Sequence, residues 1–298
     1  YLTRSLSFNW SRKKHSIVAP ATAAICTPYC YRCPLKLTFP KCEVQCLETS
    51  LELADANFTT QPAAFIGEPV LSAGGVIVPP EGYFKKLQSA LRARGMLMIM
   101  DEAQTGLGKT GKLFGFQHET GVNPEIIGIS KHFGGGLPIS AVCTTAKVAR
   151  DAVKNGYFAT RSHATDPLLC AAGTESLNIV EEEGMAGKAA LIERHIKSAF
   201  RKMAKEFELI GDIRGRGVLL GIEFVSDREK KTSANSATRK IFDYCFNKGL
   251  IFQIRGTRGL QNVVRLVPPM TTTKRELDRA LSIPVSYTHL TLPTILLV

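Results

Sequence analysis

Asp101, Lys131 and Arg265 are the residues of this chain whose type and setting could do chemistry. Asp101 stands at the end of the apolar run "MLMIMDE" (96–102). Ligands of open α/β sheets gather at the carboxyl ends of strands, where a carboxylate can hold a cationic ring nitrogen. Lys131 ends the next apolar run, "EIIGISK" (125–131), and three glycines follow in "KHFGGG". A partly desolvated lysine has a lowered pKa and can form a Schiff base, and glycines let the backbone approach a ligand closely. Arg265, in "VVRLVPP", offers a guanidinium fork that can pin a carboxylate through two bonds. Taken singly, the three have plainer readings: a turn cap, a solvated surface cation and a structural ion pair. Together they are the smallest set that could work pyridoxal phosphate, whose ring becomes an electron sink when a carboxylate keeps its nitrogen protonated.

The stretch "LMIMDEAQTGLGKTGK" (97–112) also resembles the close of a phosphate loop, through Gly108, Lys109 and Thr110. That loop needs G-x-x-x-x-G-K-[ST], because glycines let backbone N–H groups close around phosphate. Counting back from Gly108 puts Ala103 where the first glycine belongs, beside two carboxylates that repel phosphate. The following "GKLFGFQHETGVNPE" shows no helical stripe to seat an anion at its N-terminus. The ATP reading fails on these counts.

Alternating strands and helices must position these residues. "AAFIGEPV" (63–70) reads as a buried strand, "GYFKKLQSALRARG" (82–95) as a helix closed by Gly95, and 96–102, 125–131 and 137–145 as further strands. This order predicts an α/β layered sheet. After about residue 170 helix formers dominate, punctuated by Gly184 and Gly211. A strand over 215–227, a helix over 236–250 and a strand over 262–269 then make a second, smaller α/β unit. The expected division is 1–172, 173–284 and a non-native tail over 285–298. Val285–Thr294 can be back-translated into a transposon-end adapter of sequencing libraries, and the first methionine is Met96, so both ends read as artificial.

With 298 residues and 44% hydrophobic content the chain can bury a core, and no apolar run approaches a membrane span. The formal charge of +12 is spread out, with "SRKKH" its one dense cluster and no aromatic–basic ladder, which argues against nucleic acid. A basic field suits an anionic cofactor or substrate. Cys30, Cys33, Cys42 and Cys46 have paired spacings that a structural zinc ion could use, although the connecting loop is short and no histidine supports it. Reduced packing cysteines, or a disulfide, are the other readings. Cys143, Cys170 and Cys245 read as core.

In this order, the motifs "AAFIGEPVLSAGGVIVPPEGYF", "ARGMLMIMDEAQTGLGKTGKLFGF", "PEIIGISKHFGGGLPISAV", "SHATDPLLCAAG", "IGDIRGRGVLLGIEF" and "VVRLVPPMT" resemble the class III pyridoxal-phosphate aminotransferases over about residues 15–283. Within that family they are similar to the 2,2-dialkylglycine decarboxylase branch. The resemblance implies fold-type I: a large domain with a mixed, mostly parallel sheet and a smaller C-terminal α/β domain. It implies that Lys131 bonds the cofactor and later carries protons, that Asp101 pairs with the ring nitrogen, and that Gln104 contacts the phenolic oxygen. Ser162 matches a threonine reaching the phosphate of a neighbouring subunit's cofactor, which implies a homo-oligomer with its site at the dimer interface. Arg265 matches the arginine for the α-carboxylate, and Ser72 and Glu68 keep the family pattern. Asp166, Ser162 and Ala164 match part of an alkali-cation site. Ala73 stands where many relatives place a glutamate that pairs with the carboxylate-binding arginine; the decarboxylases also have a small residue there. The implied activity is decarboxylation and transamination of dialkylglycines with a keto acid such as pyruvate, or else general class III amino transfer without loss of CO2. The implied setting is soluble and cytoplasmic. The family's phosphate turn and stacking aromatic residue match nothing downstream of Tyr1, so the isolated chain is expected to bind the cofactor weakly.

Overall fold

The computed structural model describes residues 21–159, 161–256 and 260–295. The basic "SRKKH" cluster and residues 296–298 lie outside them. The first sheet is formed by β1 (Ala64–Gly67), β2 (Leu97–Asp101), β3 (Ile126–Ile129) and β4 (Ala141–Thr144), in that order. β1, β2 and β3 pair in parallel, and β4 runs antiparallel along β3. Helix α1 (Gln45–Asn57) precedes this sheet, α2 (Tyr83–Ala93) crosses between β1 and β2, and α3 (Ala146–Lys154) follows β4. The period of two along β2 meets the helical period of α2 here. Met98 and Met100 are buried with Tyr83, Leu87 and Leu91, which recur at four-residue spacing on one face of α2. Leu97, Ile99 and Asp101 therefore point to the opposite face. Gly95, with φ of 66°, follows the last turn of α2 and stops the helix where the sequence predicts.

Helix α4 (Pro167–Glu182) and helix α5 (Met185–Glu206) are separated by Gly184 at φ 59°. The expected single strand over 215–227 is a hairpin: β5 (Ile210–Arg216) pairs antiparallel with β6 (Leu219–Asp227). Gly211 lies inside β5 rather than breaking the chain, and the turn falls at Gly217 and Val218. The remaining elements are β7 (Thr232–Ser233), α6 (Asn235–Asn247), β8 (Gln253–Arg255), β9 (Val263–Leu266) and α7 (Lys274–Ile295). The second sheet runs β5-β6-β9-β8, all antiparallel, with β7 on β6. Leu220, Ile222 and Val264 pack there against Ile192, Ile196 and Phe200 of α5, Ile241 and Cys245 of α6, and Leu277 of α7. Among the described residues, no helix is long and apolar enough to cross a membrane.

Candidate active site

Asp101 is the last residue of β2, half-buried, with Oδ1 accepting the Ala103 N–H at 3.0 Å. This bond turns the chain sharply off the strand and leaves Oδ2 for a ligand. Glu102, only 1% exposed, is the fastener the sequence reading missed. Its carboxylate accepts from the Thr105 hydroxyl at 2.5 Å and from the Gly115 and Phe116 N–H groups at 2.9 Å. Burial pushes its pKa up, against those three donors, and the Asp101 charge adds to the rise. The loop from Ala103 to Phe114 is thereby stitched to the end of β2, and it holds Gln104 half-buried in the turn beside Asp101. An acidic residue followed within a few positions by glycines and a threonine is the signal that could have found it.

Lys131 follows β3 by two residues and opens a short 3-10 turn, Lys131–Gly134. Its φ is 57°, the left-handed region that a side chain rarely adopts. The residue is exposed, not desolvated as expected. The desolvated lysine is Lys109, from the discarded phosphate loop: burial pushes its ammonium down, and the charges of Lys131 and Arg265 push it further. His132, with Nε2 2.9 Å from the Gly106 carbonyl, is held down to about 4 by burial, with the Lys109 charge adding to the fall.

Arg265 lies on β9. Its Nη1 donates to the Ser72 hydroxyl at 2.7 Å and its Nη2 to Gln253 Oε1. Both partners are neutral, and among the described residues Arg265 makes no ion pair. Burial pushes its pKa down, as does Arg255, and Glu68 opposes them. Ser72 is 2% exposed, and its N–H donates to Glu68 Oε2 at 3.1 Å. Ala73, the next residue, is exposed. Burial raises the pKa of Glu68 against the Ser72 N–H; Asp101 raises it too, while Lys131 and Arg265 lower it. Asp101, Lys131, Arg265, Glu68 and Lys109 thus share one electrostatic field, although they come from both sheets.

Ser162 and Ala164 lie exposed in the turn ahead of α4, away from any bond to the other site residues. Asp166, the residue before Pro167, sets Oδ2 2.9 Å from His163 Nδ1. Of the three residues matched to part of an alkali-cation site, only Asp166 brings a carboxylate, and it is shared with His163. Of the readings of the cysteine cluster, reduced packing thiols fit the structure and zinc finds no support. Cys30, Cys33, Cys42 and Cys46 are free thiols lining a small pocket with Tyr29, Phe39 and several prolines. Among the described residues, no group of three or more histidine, cysteine or acidic side chains is arranged to hold a metal ion. Burial raises the thiol pKa of Cys46 to about 11, and the neighbouring thiols add to it; burial raises that of Cys30 as well. Cys143 and Cys170, read as core, are exposed, and Cys245 is buried as expected.

Residues 2–286 match the class III aminotransferase family model. The chain is 36% identical over 255 residues to the leucine/methionine racemase of Thermococcus litoralis, covering 85% of this chain and 56% of that protein. It is 34% identical to the mitochondrial alanine–glyoxylate aminotransferase 2 homolog 2 of Arabidopsis thaliana, covering 76% of the chain and 46% of the relative. The chain thus spans about half the length of these relatives. Among solved structures, an amine transaminase from an uncultivated Pseudomonas species, in its PLP-bound form, superposes with a TM-score of 0.81 at 29% identity, over 92% of this chain and 64% of that one. A transaminase from an ancestral-reconstruction study reaches 0.87 at 26% identity, over 97% and 64%. The family expectation is met; none of these relatives bears the name of a dialkylglycine decarboxylase. The architecture is that of the fold-type I pyridoxal-phosphate-dependent transferases, and the chain belongs to the class III aminotransferases.

Proposed function

We propose that this protein moves amino groups between an α-amino acid and an α-keto acid with pyridoxal 5'-phosphate. The observation that carries this reading is Arg265, a cation with only neutral hydrogen-bond partners, placed in one field with Lys131 and Asp101. The residues present fit the ring end of the cofactor: a strand-end carboxylate with one oxygen uncommitted, an exposed lysine fixed in left-handed backbone, and a half-buried amide, Gln104. When bound, the cofactor supplies an electron sink that stabilises negative charge at the substrate Cα. Asp101 would keep the ring nitrogen protonated through charge and hydrogen bonding. Lys131 would hold the cofactor through Nζ, and the same amine would move a proton to and from the substrate Cα. Arg265 would bind the α-carboxylate with charge-assisted bonds and so orient the substrate. Ala73 offers no carboxylate to pair with that arginine, and Glu68 acts on it without an ion pair. Ser162, on an exposed turn, would reach the phosphate held by a second subunit of a homo-oligomer.

The test is an assay of the protein, in a form as long as its relatives, with alanine and glyoxylate. Formation of pyruvate and glycine supports the reading when the donor half-reaction, followed alone by cofactor absorbance, is lost in Arg265→Ala with amino acids but kept with amines that lack a carboxylate. Equal activity on both donor classes overturns it. The finer expectation of decarboxylation uses the same arginine, and 2-aminoisobutyrate with pyruvate decides it: release of CO2 and acetone supports that branch, and amino transfer to pyruvate from other donors without CO2 assigns the general one.

A further inference from the structure

Arg265 does not aim itself. Across the second sheet, Arg214 of β5 and Arg265 of β9 both pair with Gly221 of β6, so they lie in one row. Gln253 of β8 pairs with Arg265 and extends that row. A side chain at position 221 would meet Val76 Cβ at 2.9 Å and the Gly75 carbonyl at 3.3 Å. The missing side chain is the seat on which the turn between Leu71 and Ile77 rests. Arg214 then grips that turn. Its side chain is 10% exposed. Nε donates to the carbonyls of Gly75 at 3.0 Å and Val76 at 3.1 Å, and Nη2 donates to Gly75 at 2.7 Å. Nη1 donates to Asp212 and Glu223, each at 2.7 Å. The Tyr29 ring centroid lies 4.8 Å from the guanidinium carbon. Within the turn, the N–H groups of Gly75 and Val76 donate to the Ser72 carbonyl, at 3.4 Å and 3.2 Å. The Ser72 hydroxyl takes Arg265 Nη1 at 2.7 Å.

We propose that Arg214 is a positioning residue for the carboxylate site: it clamps the turn onto Gly221 so that Ser72 fixes the guanidinium of Arg265. The inference rests on the reading of Arg265 as the carboxylate-binding residue. It predicts that Arg214 governs discrimination between substrates with and without an α-carboxylate, although it touches neither.

The experiment titrates the cofactor-loaded protein with alanine and with ethylamine, following the visible absorbance, and takes the ratio of the two dissociation constants. Three variants are compared with the parent. Arg214→Lys keeps the charge and loses the fork, Gly221→Ala lifts the turn, and Ser72→Ala cuts the last link. In each, the preference for alanine should fall about tenfold while ethylamine binding stays unchanged, the loss of one well-placed charge-assisted contact. The amides of residues 71–77 should also exchange hydrogen faster in ligand-free Arg214→Lys and Gly221→Ala. Should Arg214→Lys fail to fold, the other two variants decide. A preference for alanine that collapses in Arg265→Ala but persists in Ser72→Ala and Gly221→Ala overturns the clamp alone. A parent with no preference for alanine overturns the carboxylate reading and the clamp with it.

Discussion

Lys131 occupies left-handed backbone that costs a residue with a side chain on the order of 1 kcal/mol, and the chain keeps a lysine there where a glycine would be free of strain. Such a cost at the end of a strand fits the role proposed for Lys131. Borohydride reduction of the cofactor-loaded protein should fix the pyridoxyl group on Lys131, read by peptide mapping; a label on Lys109 instead would sink the assignment. Lys131→Ala should lose both the label and turnover. Asp101→Asn preserves shape but not charge. It should retain cofactor and slow proton removal from the substrate Cα by about 10²-fold or more, checked by solvent deuterium exchange into alanine. His132 supplies a pH test. Its pKa is about 4 in the fold against an ordinary 6.5. The unfolded chain therefore binds a proton between those values that the folded chain refuses. Stability should be complete above 6.5 and fall as pH drops towards 4, by at most about 3 kcal/mol. His132→Gln, which can still donate to the Gly106 carbonyl, should flatten that slope in thermal melts.

At the scale of elements, the β5–β6 hairpin is the piece that joins the two sheets. Gly217, at φ 56°, presses on the loop stitched down by Glu102: a Cβ there would run into the Lys109 carbonyl oxygen and the Thr110 backbone. Val218 N donates to that same Lys109 carbonyl at 2.9 Å, and Gly217 N donates to Glu193 of α5 at 2.5 Å. Gly217→Ala therefore meets backbone on one side and positive φ on the other. It should cost about 2–4 kcal/mol in denaturant unfolding and move Lys109 relative to Lys131. Little change in the unfolding midpoint would show that the loop yields.

For the molecule as a whole, one buried carboxylate gathers three parts of the chain. Glu223, in β6, accepts from the Tyr29 hydroxyl, from Arg32 Nε at 2.5 Å, from Arg214 Nη1 at 2.7 Å and from Asn262 Nδ2 at 3.3 Å. Burial opposes its ionisation, but Arg214, Tyr29 and Arg32 outweigh burial and hold its pKa below the ordinary range. Breaking such a cluster from one side strands buried charge. Glu223→Ala should cost about 3–5 kcal/mol. Glu223→Gln, keeping the shape and one acceptor, should cost less, and calorimetry of the two variants separates charge from packing.

The sequence by itself determined the chemistry-bearing residue types and the local elements that carry them. Apolar runs ending in Asp101 and in Lys131 are local signals, because burial along a strand and the break at its end are written in adjacent residues. The helix closed by Gly95 and the pause at Gly184 were legible for the same reason. Tertiary structure alone decided what met what. The split of 215–227 into two strands depends on Gly217 docking against Lys109, more than a hundred residues away. The fastening role of Glu102 depends on Gly115 and Phe116 folding back to it. The cysteine spacings resembled metal ligands but became pocket walls, because spacing along the chain does not set where thiol groups point. The phosphate-loop pattern around Lys109 was false, and only the fold shows the burial, with the charges of Lys131 and Arg265 beside it, that pushes its pKa down. Pairing across a fold is set by distances that local periodicity does not encode.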